Sequence, residues 1–265
     1  MYSVYPTKLF RLAFSFGGEK ETYSTEGLRP MARHIQHLAV TFAPLPGVED
    51  FSAVENVRSL FLNYGSGPLW DDWVPNHIRL ARSWPLQRLW LGCRQEDGHH
   101  PLFQTLDAGE PFPPFHGRLT HLSILDVFGV KYFEHGSFSP CIKRGLTHLN
   151  LACNTNITQF FASLTTCISS LPSLKILALY IPYKALIVDE AVGPSLLPYD
   201  PRIVFYMLND PIKVYAASWH EYAWRNEDTF WRMAAVVRSQ TLTYPQQLAS
   251  AWWAVLVALP ANSDI

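Results

Sequence analysis

The chain has 265 residues, 48% of them apolar and 14% aromatic, and a formal net charge of −1 at pH 7. Charged residues make up only 16%, below the about one quarter of ordinary globular chains, while the apolar share is ample for a core; this excludes a disordered or coiled-coil composition. No run of Lys or Arg interrupts the balance, so neither nucleic acid nor a membrane surface is expected as a partner.

The opening stretch, residues 1–16, shows no long apolar run after a basic start, and no secretory signal is read there. Residues 1–33 are taken as an N-terminal segment with a capping role. Cys93, Cys141, Cys153 and Cys167 form no C-x-x-C pair and no zinc-spaced cluster, so they read as reduced thiols of an intracellular protein, in cytoplasm or nucleus. No cofactor or metal is expected.

From residue 34 the chain repeats itself. Residues 146–154, LTHLNLACN, place Leu146, Leu149, Leu151 and Asn154 in the L-x-x-L-x-L-x-x-N pattern of a leucine-rich repeat. The same L-x-x-L-x-L spacing starts at Ile35, Val57, Leu86, Leu119 and Leu174, and a degenerate copy falls in 202–208. The six starts are 22, 29, 33, 27 and 28 residues apart, close to the roughly 20–29 residues of that repeat class. Each copy predicts a short strand with alternating side chains. Asn recurs at position nine in none of the other copies, which hold Ala43, Gly65, Arg94, Val127 and Pro182. An irregular array without an asparagine ladder is therefore expected.

Between the strands the chain must cross back. Residues 157–171 carry an i, i+3, i+4, i+7 apolar stripe that predicts a helix stopped by Pro172. A second helix is predicted over 72–84, capped by Asp72. Residues 98–117 and 181–201 are rich in Pro and read as long loops. After the repeats, 210–225 is rich in Tyr and Trp, and 227–238 predicts a helix with Asn226 as its cap and Phe230, Met233, Ala234 and Val237 on one face. The division is 34–209 for the repeat domain, 210–239 for a C-terminal helical cap, and 240–265 for a tail. The apolar run 249–259 is too short to span a bilayer. The fold class expected is α/β: an irregular leucine-rich-repeat-like solenoid, its parallel strands joined by helical or loop crossings.

In such an array the residues flanking position four line the concave sheet face. His37, Phe61, Arg88, Trp90, His121, His148 and Asn150 are the candidate protein-binding residues there, with Arg and Trp the side chains that dominate protein interfaces. His121 and His148 hold equivalent positions in neighbouring copies, and strands about 4.8 Å apart would bring their rings together. Two imidazoles alone do not make a metal site. Phosphate-binding, nucleophile-elbow and zincin motifs are absent from the sequence, and Asp71-Asp72 reads as helix capping, so no enzyme is expected.

The L-T-H-L strands, LPSLKIL at 171–177, DPRIV at 200–204 and EDTFWR at 227–232 resemble the F-box/leucine-rich-repeat-like proteins of mushroom-forming fungi over residues 30–239. That resemblance implies a non-enzymatic protein-interaction module that recognises substrates for a cullin-type ubiquitin ligase. It also implies a Skp-type adaptor as a partner where an F-box precedes the repeats; the 34 residues before the first repeat show no F-box helices. Two alternatives stay open: a hydrolase-like enzyme on an α/β scaffold, and a truncated gene product without maintained function.

Overall fold

The computed structural model describes residues 12–16, 32–41, 54–64, 84–93, 119–127, 144–153, 164–166, 168–180, 200–206 and 211–240. Within them the chain is an α/β protein built on one sheet of eight strands. These are β1 (Leu12–Phe16), β2 (Ile35–Thr41), β3 (Ser59–Tyr64), β4 (Arg88–Cys93), β5 (His121–Val127), β6 (His148–Cys153), β7 (Ile176–Tyr180) and β8 (Ile203–Tyr206). Every neighbouring pair is parallel, and the order in the sheet is the order in the sequence. Each crossing therefore returns the chain to the same end of the sheet and moves it one strand over.

The strands align by their sequence repeat. Leu38, Leu60, Leu89, Leu122, Leu149, Leu177 and Ile203 form one row across the sheet, and Leu62, Leu91, Ile124, Leu151, Leu179 and Phe205 form another. Both rows are buried. The preceding apolar positions Ile35, Val57, Leu86, Leu119, Leu146 and Leu174 are buried as well. Burying one such side chain is worth about 1.5–3 kcal/mol, which is why the Leu spacing alone fixes the register of a sheet whose side chains alternate. Ahead of the strands the backbone continues the ladder: the amides of Arg58, Gln87, Thr120, Thr147 and Lys175 each donate to the carbonyl of the matching residue one strand earlier.

The six predicted strands and the degenerate copy at 202–208 are all present. One strand was not expected: β1 lies inside 1–33, paired with β2 through Phe14↔Leu38 and Phe16↔Val40. Its LAFSF sequence alternates but lacks the L-x-x-L-x-L frame. Of the predicted helix 157–171, residues 164–166 and 168–169 are described and helical, and Leu164, Ile168 and Leu171 are buried as the stripe requires. The predicted helix 72–84 lies outside the described residues except for Trp84, whose indole N–H donates to the Val54 carbonyl. The loops 98–117 and 181–199 and the tail 241–265 also lie outside them.

Two helices follow β8. α1 spans Pro211–Arg225 and α2 spans Thr229–Ser239. α1 occupies a stretch for which no helix was predicted. Pro211 suits the first turn, where an N–H has no partner to lose. The helix ends at Asn226, whose φ of 57° is the left-handed conformation that Asn tolerates and that terminates helices; its amide donates back to Tyr222. Asn226 thus ends α1 rather than capping α2. The N-cap of α2 is Asp228, without a side-chain capping bond. Glu221 of α1 supplies it instead: its two carboxylate oxygens accept from the Thr229 amide at 3.2 Å and the Thr229 hydroxyl at 2.5 Å. A carboxylate at a helix N-terminus also meets the positive end of the macrodipole.

Candidate functional site

The seven candidate residues do share one face. His37, Ser59, Arg88, His121, His148 and Ile176 form one row; Ala39, Phe61, Trp90, Ser123, Asn150, Ala178 and Val204 form the next. This face differs in kind from the other. Where the opposite face is Leu, Ile and Phe, this one carries His, Ser, Arg and Asn.

That face is not presented to solvent, and here the expectation is corrected. α1 packs against β3, β4 and β5, and α2 against β7 and β8. Trp219, Ala223, Phe230, Trp231, Ala234 and Val237 of the two helices join Ala39, Phe61, Trp90, Ala178 and Tyr206 of the sheet in one buried cluster. His37, Phe61, Trp90 and Asn150 are 1–2% exposed. The segment 210–239, expected as a C-terminal cap with one helix, forms two helices that lie over the sheet face. The physical reason is the aromatic content of 219–231: those side chains need a large apolar surface, and the row Ala39–Phe61–Trp90 offers one.

The contacts are specific. Tyr222 sits edge-on to His37 with centroids 5.5 Å apart and tilts against Trp90 at 6.3 Å. Trp219 packs on Phe61 at 6.1 Å. The Tyr206 hydroxyl donates to Asn150 Oδ1 at 2.6 Å, and His37 Nδ1 lies 2.7 Å from the Ser59 hydroxyl.

At one part of this face charge is partly buried. Arg88 on β4 places Nη1 2.6 Å from Asp228 Oδ2, with side chains only 13% and 27% exposed. Its guanidinium also lies over the Tyr222 ring, 3.8 Å from the centroid, a cation–π contact. Arg88 therefore holds α1 through Tyr222 and the start of α2 through Asp228. Asp228 Oδ1 is buried without a hydrogen bond. Burial raises the Asp228 carboxyl above its ordinary value even though Arg88 pulls the other way, because only one of the two oxygens is paired.

Beside this pair the two histidines stack. The rings of His121 and His148 are 4.1 Å apart and 3° from parallel, and the Trp231 indole meets both edge-on at 5.7 and 5.0 Å. The repeated Leu-Thr-His-Leu explains the geometry. The Thr120 hydroxyl donates to the Gln87 carbonyl at 3.1 Å, and the Thr147 hydroxyl to the Thr120 carbonyl at 3.0 Å. Each hydroxyl has spent its one proton, so it accepts from its neighbouring imidazole Nδ1 at 2.8 Å. A neutral ring bonded this way carries its proton on Nδ1 and leaves Nε2 as an acceptor. Burial first, then the nearby Arg88, pushes both rings toward the neutral form, His148 to about 4 and His121 further down. His121 Nε2 lies 3.9 Å from Asp228 Oδ2. With His121 neutral at pH 7 that is a proximity, not an ion pair.

The structure therefore brings Arg88, His121 and His148 together and keeps His37, Phe61, Trp90 and Asn150 elsewhere on the same face. Sequence reasoning missed Tyr222, Asp228 and Trp231. Their one signal was the density of aromatic residues after the last strand. Among the described residues no group of three His, Cys, Asp or Glu is placed to hold a metal ion, and no helix is long and apolar enough to cross a membrane.

The fold and this face define a parallel-sheet α/β protein whose helix pair seals a polar-lined sheet face. A comparison of the chain with family models, with curated proteins and with solved structures finds no match in any of the three.

Proposed function

We propose that this chain is a leucine-rich-repeat-like α/β solenoid acting as a non-enzymatic protein-interaction module inside the cell. Substrate recognition for a cullin-type ubiquitin ligase is the specific role that the resemblance to F-box/leucine-rich-repeat-like proteins suggests. One observation carries the reading: each of seven successive crossings advances the chain by one parallel strand, and the six strands β2 to β7 share one register over four successive residues each. Arrays grown by such identical steps present extended surfaces rather than one concave pocket. The split between an aliphatic, Leu-rich face and a face of His, Arg, Asn and aromatic residues agrees with it, since the second set is the chemistry of recognition.

Affinity capture with the full chain, followed by reconstitution from purified components, tests the proposal. A defined complex with at least one captured protein, a Skp-type adaptor or a ligase substrate among them, is the expected result. Failure of every captured protein to form a complex in reconstitution would remove the reading.

A further inference from the structure

We propose that the edge where β6 and β7 begin is a docking surface for an acidic peptide segment of a partner protein, held by Arg144, Lys175 and Arg238. The inference rests on the interaction reading above and deepens it, naming one surface and the chemistry of its partner.

The three cations are far apart in the sequence. Arg144 stands shortly before β6, Lys175 one residue before β7, and Arg238 in the last turn of α2. Hydrogen bonds to the backbone draw the three places together. The Ser173 hydroxyl donates to the Arg144 carbonyl at 2.6 Å, the Lys175 amide to the Thr147 carbonyl at 2.8 Å, and Arg238 Nη1 to the Lys175 carbonyl at 2.8 Å. The last bond fixes a guanidinium beside the residue that carries the ammonium. Two of the positive fields meet at His148, the first residue of β6: after burial and Arg88, Lys175 and Arg238 both push its imidazole toward the neutral form.

This charge serves no partner within the fold. Arg144, Lys175 and Arg238 are all exposed, and among the described residues none of them forms an ion pair with a carboxylate. The acid at the start of the next strand, Asp200, is already taken. Its Oδ1 accepts from Arg202 Nε at 2.9 Å and its Oδ2 from Arg202 Nη2 at 2.7 Å. Arg88 and Arg202, which do serve the fold, each have their own carboxylate. Like charges gathered without a counter-charge repel one another, and carboxylates of a partner relieve that repulsion.

The geometry specifies those carboxylates. Arg238 keeps Nε and Nη2 for a forked bond to one of them, and Lys175 offers a compact charge to a second. Two acidic residues on one short segment suit the pair. The cations span only two strand starts, a shorter footprint than the stripe of Lys and Arg that tracks a nucleic-acid backbone.

Fluorescence anisotropy of a labelled octaglutamate peptide with the full chain tests the proposal, at about 0.01 M salt, where charges are screened over about 30 Å. The peptide is expected to bind the wild-type chain. Lys175→Ala and Arg238→Gln should each weaken binding at least about threefold, and the double change at least about tenfold. Arg58→Ala removes the same charge from the start of β3, four strands away from β7, and should stay within about twofold of wild type. Lys175→Ala, whose side chain makes no contact that holds the fold, carries the test if Arg238→Gln disturbs α2. Absence of binding overturns the proposal. So does an equal loss in Arg58→Ala, since binding then follows net charge rather than this surface. Tighter binding of an octathymidylate at the same residues overturns the choice of a peptide partner. A reconstituted protein complex that forms equally well with the double variant refutes this surface and leaves the interaction reading standing.

Discussion

Arg88 and Asp228 lie 140 positions apart in the sequence and 2.6 Å apart in the structure. One comes from the middle of the sheet and the other from the turn between two helices, so their pairing fixes where the helix pair sits. Both are largely withdrawn from water. A double-mutant cycle with Arg88→Gln and Asp228→Asn is expected to show each single change costing about 1–3 kcal/mol. The coupling between them should be about 1 kcal/mol, measured by urea unfolding. Additive single changes would show that the pair contributes nothing of its own.

Acid should destabilise the protein through its histidines. The unfolded imidazole titrates at 6.5 and folded His148 at about 4. Between those values the unfolded chain holds a proton that the folded chain lacks, so stability falls as the pH drops, and the His148 share of that loss levels off below about 4. His121 is shifted in the same direction, and each ring contributes a slope of at most about 1.4 kcal/mol per pH unit. Asp228, raised above 3.8, acts oppositely just above that pH, where the folded chain holds the extra proton. Urea midpoints at several pH values between 7 and 4 check this, and His148→Gln should flatten the profile. An unchanged slope in that variant would place the effect elsewhere.

Glu221→Ala should loosen the start of α2. The change leaves the Thr229 amide and hydroxyl without their acceptor in a buried position, at a cost of about 1–2 kcal/mol. Glu221→Gln keeps an acceptor and should cost less. Thermal melts of the two variants give the order, and equal losses would argue against a capping role.

The Leu rows should be the least forgiving part of the chain. Leu149 is fully buried, and Leu149→Ala is expected to cost about 2–5 kcal/mol by leaving a cavity. Lys175→Ala, at an exposed site one residue before β7, should stay within about 0.5 kcal/mol of wild type. A Leu149→Ala loss below about 1 kcal/mol would mean that the row can collapse around the gap.

The sheet was legible because its signal is local. Leu149 and Leu151 mark a strand within six residues, and the same spacing recurs with each copy, so register follows without any knowledge of distant contacts. The stacking of His121 on His148 was legible for the same reason, as equivalent positions on adjacent strands. β1 escaped because Phe14 and Phe16 stand where other copies carry Leu. α1 escaped because its buried side includes Ser218 and Glu221, which erase an apolar stripe. What covers Phe61, Trp90 and Arg88 could not be read at all. Nothing in the spacing of residues 88 and 228 records that they meet, and a polar-lined face looks the same in sequence whether it is open or roofed.

The distance along the chain between β4 and α2 also sets an order of events during synthesis. At about 5–20 residues per second, roughly 7–28 seconds separate the emergence of Arg88 from that of Asp228. Throughout that interval Phe61 and Trp90 have left the ribosome before the helices that roof them have been made. The newborn protein therefore passes through a stage in which its aromatic row lies bare, and whatever meets it then, chaperone or client, meets a surface that the finished molecule conceals.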